Sequence, residues 1–247
     1  MDLTVLLPEI EAAAVRGWPA LETALVDGWL WRHSSGGSTR ANSVATLAFT
    51  GLDLDAAIAT IERMCHARGV PACFAVSDVS QPRGLDAHLA ARGYRDGGHN
   101  VTMAKWLNAQ AVLPSGVTIA SEPSPDWMVV YLSGLSETRR GKAPAILKNL
   151  PRGAHFISGV VAGRTMSCGL TIGDGAVASV QCMATLPEGR RQGGAQRVLA
   201  TIEHLAAREG RRALYLQAEG TNAAAHALYH SVGFVEVGTY HTRTQAA

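Results

Sequence analysis

The sequence predicts a mixed α/β protein of the α+β class, and three observations carry that reading. The first is element order: helical segments, then a meander of three antiparallel strands, then strands alternating with helices. The second is a weak internal repeat. Gly69, a strand, a helix and Gly93-Tyr94 recur as Gly210, a strand, a helix and Gly233-Phe234, at intervals of 24 and 23 residues. The third is composition: 247 residues with 47% hydrophobic and 17% charged side chains suit an ordinary globular chain, enough for one large domain or two small ones.

Taken in order, residues 5–17 have helical periodicity and residues 19–25 suggest a second short helix. Asp27-Gly28 then turns the chain into a strand at Trp29-Leu30-Trp31-Arg32. A Gly/Ser loop (34–38) leads to a returning strand (41–47), and an amphipathic helix (55–68) ends at Gly69. A strand (72–76), a helix (84–92) and a strand (100–106) complete the first half. Residues 108–116, Asn-Ala-Gln-Ala-Val-Leu-Pro-Ser-Gly, read as the junction between domains 1–107 and 117–247.

The second half opens with a strand (117–121) and helices (126–135, 144–150). Strands 155–161, 166–172 and 177–184 form the meander, because Gly163 and the Gly173-Asp174-Gly175 turn supply glycine where positive φ is needed. A helix (195–208), a strand (213–217), a helix (222–231) and a final strand pair follow.

Composition also excludes function classes. With a net charge of +2 and scattered Lys and Arg, nucleic acid is not a favoured partner. No apolar run reaches the length of a membrane-spanning helix. Cys65, Cys73, Cys168 and Cys182 lack the spacing of a zinc or redox motif, and the chain start lacks a signal-peptide pattern. We expect buried thiols, no metal, and a cytoplasmic protein for which a homodimer is a possible assembly.

The chemistry concentrates at Leu186-Pro187-Glu188-Gly189-Arg190-Arg191-Gln192-Gly193-Gly194-Ala195, between a hydrophobic strand and an amphipathic helix. A strand ending in a Gly-rich turn that opens a helix aims unpaired backbone N–H groups and the positive helix end at one point, which suits a pyrophosphate. Arg190 and Arg191 can add charge-assisted contacts. The segment lacks both the Gly-Lys-Ser/Thr ending of a Walker loop and the glycine order of a dinucleotide fingerprint.

Arg190-x-x-Gly193-x-Ala195 resembles the acyl-CoA signature of the GNAT (GCN5-related N-acetyltransferase) family. Downstream, Asn222-x-x-Ala225-x-x-x-Tyr229-x-x-x-Gly233-Phe234 resembles that family's closing motif. The resemblance implies tandem GNAT-like domains, each a mostly antiparallel mixed sheet flanked by helices, with the acetyl-CoA site in the second. It assigns cofactor contacts to Arg190, Arg191, Gln192, Gly193, Gly194, Ala195 and Asn222, and to the backbone near Met183 and Thr185. It makes Tyr229 the general acid that protonates the departing CoA thiolate. Many members carry a Glu base on the strand here spanning residues 177–185, but this one holds no carboxylate. Water, another residue such as Glu219, His155 or His226, or an acceptor of low pKa takes that role.

In the first half, the equivalent loop is Phe49-Thr50-Gly51-Leu52-Asp53-Leu54-Asp55, acidic and unsuited to phosphate. Leu89 stands four residues before Gly93, as Tyr229 stands before Gly233. We expect a copy without CoA that buttresses the active half or walls the acceptor pocket. Trp29, Arg32 and Arg40 are its candidate substrate contacts, an Arg pairing with a substrate carboxylate and an aromatic face packing the acceptor; tryptophans in a core and a solvated Arg are the alternative. The expected activity is acetyl transfer to a primary amine of a small molecule, with a protein amine or a non-catalytic CoA sensor as alternatives.

Overall fold

Apolar residues on alternating strand positions and on single helix faces settle this chain into two sheets with helices packed on them. The computed structural model describes residues 2–246. A 3-10 turn (Leu3–Leu6) leads into α1 (Leu7–Arg16), followed by β1 (Glu22–Val26), β2 (Trp29–His33), a 3-10 turn (Thr39–Asn42), β3 (Val44–Ala45), α2 (Leu54–His66), β4 (Cys73–Ser77), α3 (Leu85–Ala91) and β5 (Arg95–Trp106). Then come β6 (Val117–Ala120), α4 (Pro125–Ser133), α5 (Glu137–Arg140), α6 (Ala143–Leu147), β7 (His155–Val161), β8 (Arg164–Thr171), β9 (Gly173–Asp174), β10 (Val177–Ser179) and β11 (Gln181–Thr185). A 3-10 turn (Pro187–Gly189), α7 (Gly194–Arg208), β12 (Ala213–Glu219), α8 (Ala223–Ser231) and β13 (Val235–Thr244) close the chain.

Four expectations are corrected. Residues 22–26 form a strand, not a helix: Asp27 and Gly28 adopt φ +48° and +87°, and this tight turn pairs Val26 with Trp29 through Glu22 with His33. Hairpin pairing thus overrides the local helical pattern. The returning strand shrinks to Val44–Ala45 because Asn42 knots the preceding loop, accepting from Ser34 N at 2.8 Å and donating to Ser38 O at 2.7 Å. The strand expected at 177–184 is split, since Val180 N turns to Tyr215 O at 2.8 Å. The final strand pair is one long strand, β13.

The larger sheet runs β1-β2-β3-β4-β13-β5-β12-β10-β9, the smaller β11-β8-β7-β6. Each half's closing strand leaves its own half: β13 lies between β4 and β5, and β5 pairs with β12. Four apolar clusters hold the layers. Trp29, Ile58, Ile61, Phe74, Leu85 and Leu89 join β2, β4, α2 and α3, while α1 packs Ile10 and Ala13 on Ala104, Val177, Ala213 and Tyr215. Trp127 of α4 packs with Phe156 and Leu170. Val198 and Ile202 of α7 meet Leu214, Leu216, Tyr229 and Phe234. Each buried large side chain contributes about 1.5–3 kcal/mol against exposure, so these contacts hold α7 and α8 against the sheet.

Candidate active site

The site begins where two parallel strands part. β10 pairs with β12 from Val177↔Ala213 to Ser179↔Tyr215; β11 then leaves for β8, with Ala184 opposite Cys168 and Thr185 opposite Ser167. Cys182, at φ +53°, makes a bulge, and the β8 register skips Cys182 and Met183. A notch opens between β11 and β12, walled by backbone that the ladder leaves unpaired near Met183. Side chains on β12 alternate across it: Leu214 and Leu216 face α7 and Tyr229, whereas Tyr215, Gln217 and Glu219 take the opposite face.

On the first face, the loop after β11 leads to α7. Gly193 caps α7 at φ +73°, with no side-chain hydrogen bond and no acidic residue in the first turn. The first intrahelical bond is Arg197 N to Gly193 O at 3.0 Å, so the N–H groups of Gly194, Ala195 and Gln196 have no acceptor within the helix. At Gly194 a Cβ would come within 2.6 Å of Ser167 Oγ, so the helix start sits closer to β8 than a side chain permits. Arg190 and Arg191 are exposed and form no ion pair among the described residues; Arg191 has φ +61°. Gln192 donates Nε2 to Glu188 O at 2.7 Å, which braces the loop. The expected phosphate-binding residues therefore surround one open helix end, a fit for a pyrophosphate.

Tyr229 is buried on α8, edge-on to Phe234 at 5.8 Å between ring centroids, in the cluster that Met183 of β11 and Ala218 of β12 also join. Burial pushes its hydroxyl up to about 12, so it holds its proton at neutral pH. Asn222 is exposed and caps α8, its Oδ1 accepting from Ala225 N at 3.1 Å. Of the other conceivable bases, His155 is bound to Glu209 at 2.9 Å and His226 Nε2 meets the Glu219 carbonyl at 3.1 Å. Burial raises Cys168 and lifts Cys182 to about 12, so neither is an activated nucleophile.

On the second face lies a cleft of about 970 Å³. Its walls come from both halves: the loop of residues 33–43, the start of β4, the far end of β13, Arg139 from α5, and Gln217, Glu219 and Thr221 at the end of β12. Arg32 and Arg40 line it as expected. Trp29 does not, because it is fully buried under α2 and α3 and donates Nε1 to Gln81 O at 2.7 Å. Trp29 and Trp31 share the inward face of β2 and one core cluster; Trp31, further along the strand, reaches the cleft edge with Arg68 4.5 Å over its ring.

Sequence reasoning missed Arg139, Gln217, Tyr240 and Glu11. Beneath the cleft a smaller void of about 40 Å³ touches Glu11, Arg32, Arg40, Gln217 and Tyr240. Glu11 accepts from Thr102 Oγ1 at 2.8 Å and Gln217 Nε2 at 3.0 Å, and burial raises its pKa. A signal did exist, since Glu11 falls on the buried face of α1 with Leu7, Ile10 and Ala14. Two groups could offer metal ligands, Asp96/His99/His241 and His226/His230/Glu236, each with its ligand atoms within 4.8 Å of one another.

Parting parallel strands, an uncapped helix after the first of them and a buried Tyr on the helix after the second define an acyl-CoA-dependent acetyltransferase of the GNAT superfamily. Comparison with known proteins agrees. The chain belongs to the family described as "Probable histone acetyltransferase Rv0428c C-terminal", whose model matches residues 4–243. It is 28% identical to the uncharacterized N-acetyltransferase YobR of Bacillus subtilis, over 95% of this chain and 97% of that protein. In fold it is similar to a GCN5-related N-acetyltransferase from Kribbella flavida, with TM-score 0.70 and 16% identity over 100% of this chain and 97% of that one. A tandem GNAT protein from the clavulanic acid biosynthesis pathway aligns with TM-score 0.61 and 17% identity, over 82% of this chain and 74% of that one. No helix among the described residues is long and apolar enough to cross a membrane.

Proposed function

We propose that this protein transfers an acetyl group from acetyl-CoA to the primary amine of a small molecule, by direct attack while both are bound. One observation carries the reading: α7 with Tyr229 and the 970 Å³ cleft lie on opposite faces of β12, which borders the notch, and donor and acceptor would meet across that strand. Arg190, Arg191 and the amides of residues 192–195 hold the donor's phosphates, and Asn222 flanks its pantetheine arm. Unpaired backbone at the Met183 bulge, with Thr185 beyond it, receives the arm, and an N–H there polarises the thioester carbonyl. The amine approaches from the cleft and forms the new C–N bond. As the C–S bond breaks, Tyr229 gives its proton to the sulfur. Glu219, exposed on the cleft-side face of β12, takes the proton from the amine directly or through water.

In this reading the chain is two copies of one fold, residues 1–107 and 117–247 joined by 108–116, and only the second binds CoA. The exchange of β5 and β13 supports a fused pair whose first copy walls the acceptor cleft. The family's description favours a second reading, a protein lysine acceptor. Calorimetric titration with acetyl-CoA tests the donor site: the parent binds, and an Arg191→Glu, Gly193→Asp variant with unchanged circular dichroism does not. Absence of binding to the parent overturns the acetyltransfer mechanism. Acetylation of histone peptides in preference to small amines overturns the small-molecule acceptor.

A further inference from the structure

Four arginines outside the cleft each have a carboxylate: Arg16 pairs with Asp174 at 2.6 Å, Arg68 with Glu22 at 2.7 Å, Arg92 with Asp55 at 2.7 Å and Arg243 with Asp86 at 2.7 Å. The cleft reverses this pattern. Arg32 is only 5% exposed, yet its guanidinium meets no carboxylate; Nε donates to Ser43 O at 3.0 Å and Nη2 to Ser43 Oγ at 3.3 Å, two of its five donors. Arg40 leans 5.1 Å over the Trp18 ring, and Arg139 donates Nε to Gly37 O at 3.0 Å. Among the described residues none of the three forms an ion pair. All three line the same cleft.

Burying a guanidinium without a counter-ion is costly, and a second one beside it adds repulsion. Burial and the charge of Arg40 lower the Arg32 pKa to about 10, which still leaves it cationic at neutral pH. Glu11 borders the small void beneath Arg32 and Arg40 and attracts both, but it forms no ion pair with either and does not line the cleft: its oxygens accept from Thr102 and Gln217, and burial raises its pKa. Glu219, the carboxylate lining the cleft, is exposed at the end of β12. One end of the cleft therefore lacks an anion, and the edge of the notch offers one.

We infer that the acceptor is an amine that also carries an anionic group, a carboxylate or a phosphate, which the Arg32, Arg40 and Arg139 cluster holds while its amino end lies toward Glu219 and the notch. This rests on the acetyltransferase reading and narrows it. It excludes polyamines and aminoglycoside-like acceptors, polycations that would place further positive charge against three guanidiniums.

The test is acetylated-product formation, read by mass spectrometry, from the parent with acetyl-CoA and three matched panels: α-amino acids, their amides, and aminoalkyl phosphates. Expected is at least a tenfold advantage in kcat/KM for one anionic panel over the amides; which panel wins distinguishes carboxylate from phosphate. Arg40 is half-buried, and Arg40→Gln should remove that advantage, raising KM for the anionic panel at least tenfold more than for the amides. Amides turned over as well as their acids would overturn the inference. So would no product from any panel despite normal acetyl-CoA titration, leaving the donor site standing. If Arg40→Gln weakens acetyl-CoA binding itself, the cluster belongs to the donor and the inference fails. Should the parent not bind acetyl-CoA, titration with N-acetyl amino acids and inorganic phosphate decides whether the cluster binds anions, and no heat from either overturns it.

Discussion

Two helices of this protein stand in equivalent places and end differently. α2 follows β3 and leads into β4, the strand parallel to β3; α7 follows β10 and β11 and leads into β12, the strand parallel to β10. The N-terminus of α2 is closed by its own chain: Asp53 caps it, accepting from Ala56 N at 3.0 Å, and Asp55 sits in the first turn, paired with His88 and Arg92. That of α7 carries Gly193 and no acid. A helix end capped by Gly rather than Asp forgoes about a few tenths of a kcal/mol, and orphan N–H groups of that kind suit an anion. The difference between the two helix ends is a carboxylate omitted, as much as the arginines added.

The sharpest way to break this comparison lies one helix further on. Tyr229 and Leu89 occupy matching positions before Gly233 and Gly93, and both are buried, Leu89 wholly within the first-half core. Tyr229→Phe should lower kcat about 10²–10⁴-fold with acetyl-CoA affinity kept, as measured by steady-state rates and titration. Because burial holds the Tyr229 pKa at about 12, its deprotonation should produce no alkaline fall in rate below about pH 11. Unchanged turnover in the Phe variant would return Tyr229 to the status of Leu89, a packing residue.

Asp53→Ala should cost about 1 kcal/mol of unfolding free energy, seen as a shift in the denaturant midpoint, and should confer no CoA binding on the first half. Loss of acetyl-CoA affinity in that variant would mean that the two helix ends are not independent.

The smallest expected effect concerns the tie between halves. Glu11 joins Thr102 on β5 to Gln217 on β12, and burial raises its pKa above that in the unfolded chain. Its protonated form is thus favoured in the folded state, and the associated stability is complete below the unfolded value and lost as pH rises through the folded one. Glu11→Gln keeps an acceptor for Thr102 and should flatten the decline of stability with rising pH in chemical denaturation. A parallel decline in both proteins would assign the slope to other groups.

Much of this was visible in the sequence, for reasons that are local. The meander strand at residues 155–161 emerges with those bounds as β7, because its turn residues and alternation act over a few positions. The Gly-rich turn at the start of α7 was readable because its geometry lies in the backbone, which Gly193 and Gly194 announce directly. The acidic segment Phe49-Thr50-Gly51-Leu52-Asp53-Leu54-Asp55 likewise announced an end unsuited to phosphate. Trp29 was misassigned because period-two alternation says which side chains share a face, not which face is inside. Arg139 lies 99 positions beyond Arg40, and only packing of α5 against the loop at Gly37 brings it to the cleft.

By itself the sequence determined the fold class and the Gly-rich turn that opens α7, since both are encoded in short-range spacing. Tertiary structure alone decided the arginine-lined cleft. The exchange of β5 and β13 fuses the halves into one nine-stranded sheet, and the bulge at Cys182 parts β11 from β12. Arg32, Arg40, Arg139 and Gln217 converge only then, because strand pairing over more than a hundred residues is settled by burying apolar faces, a free energy that no short segment of this chain carries.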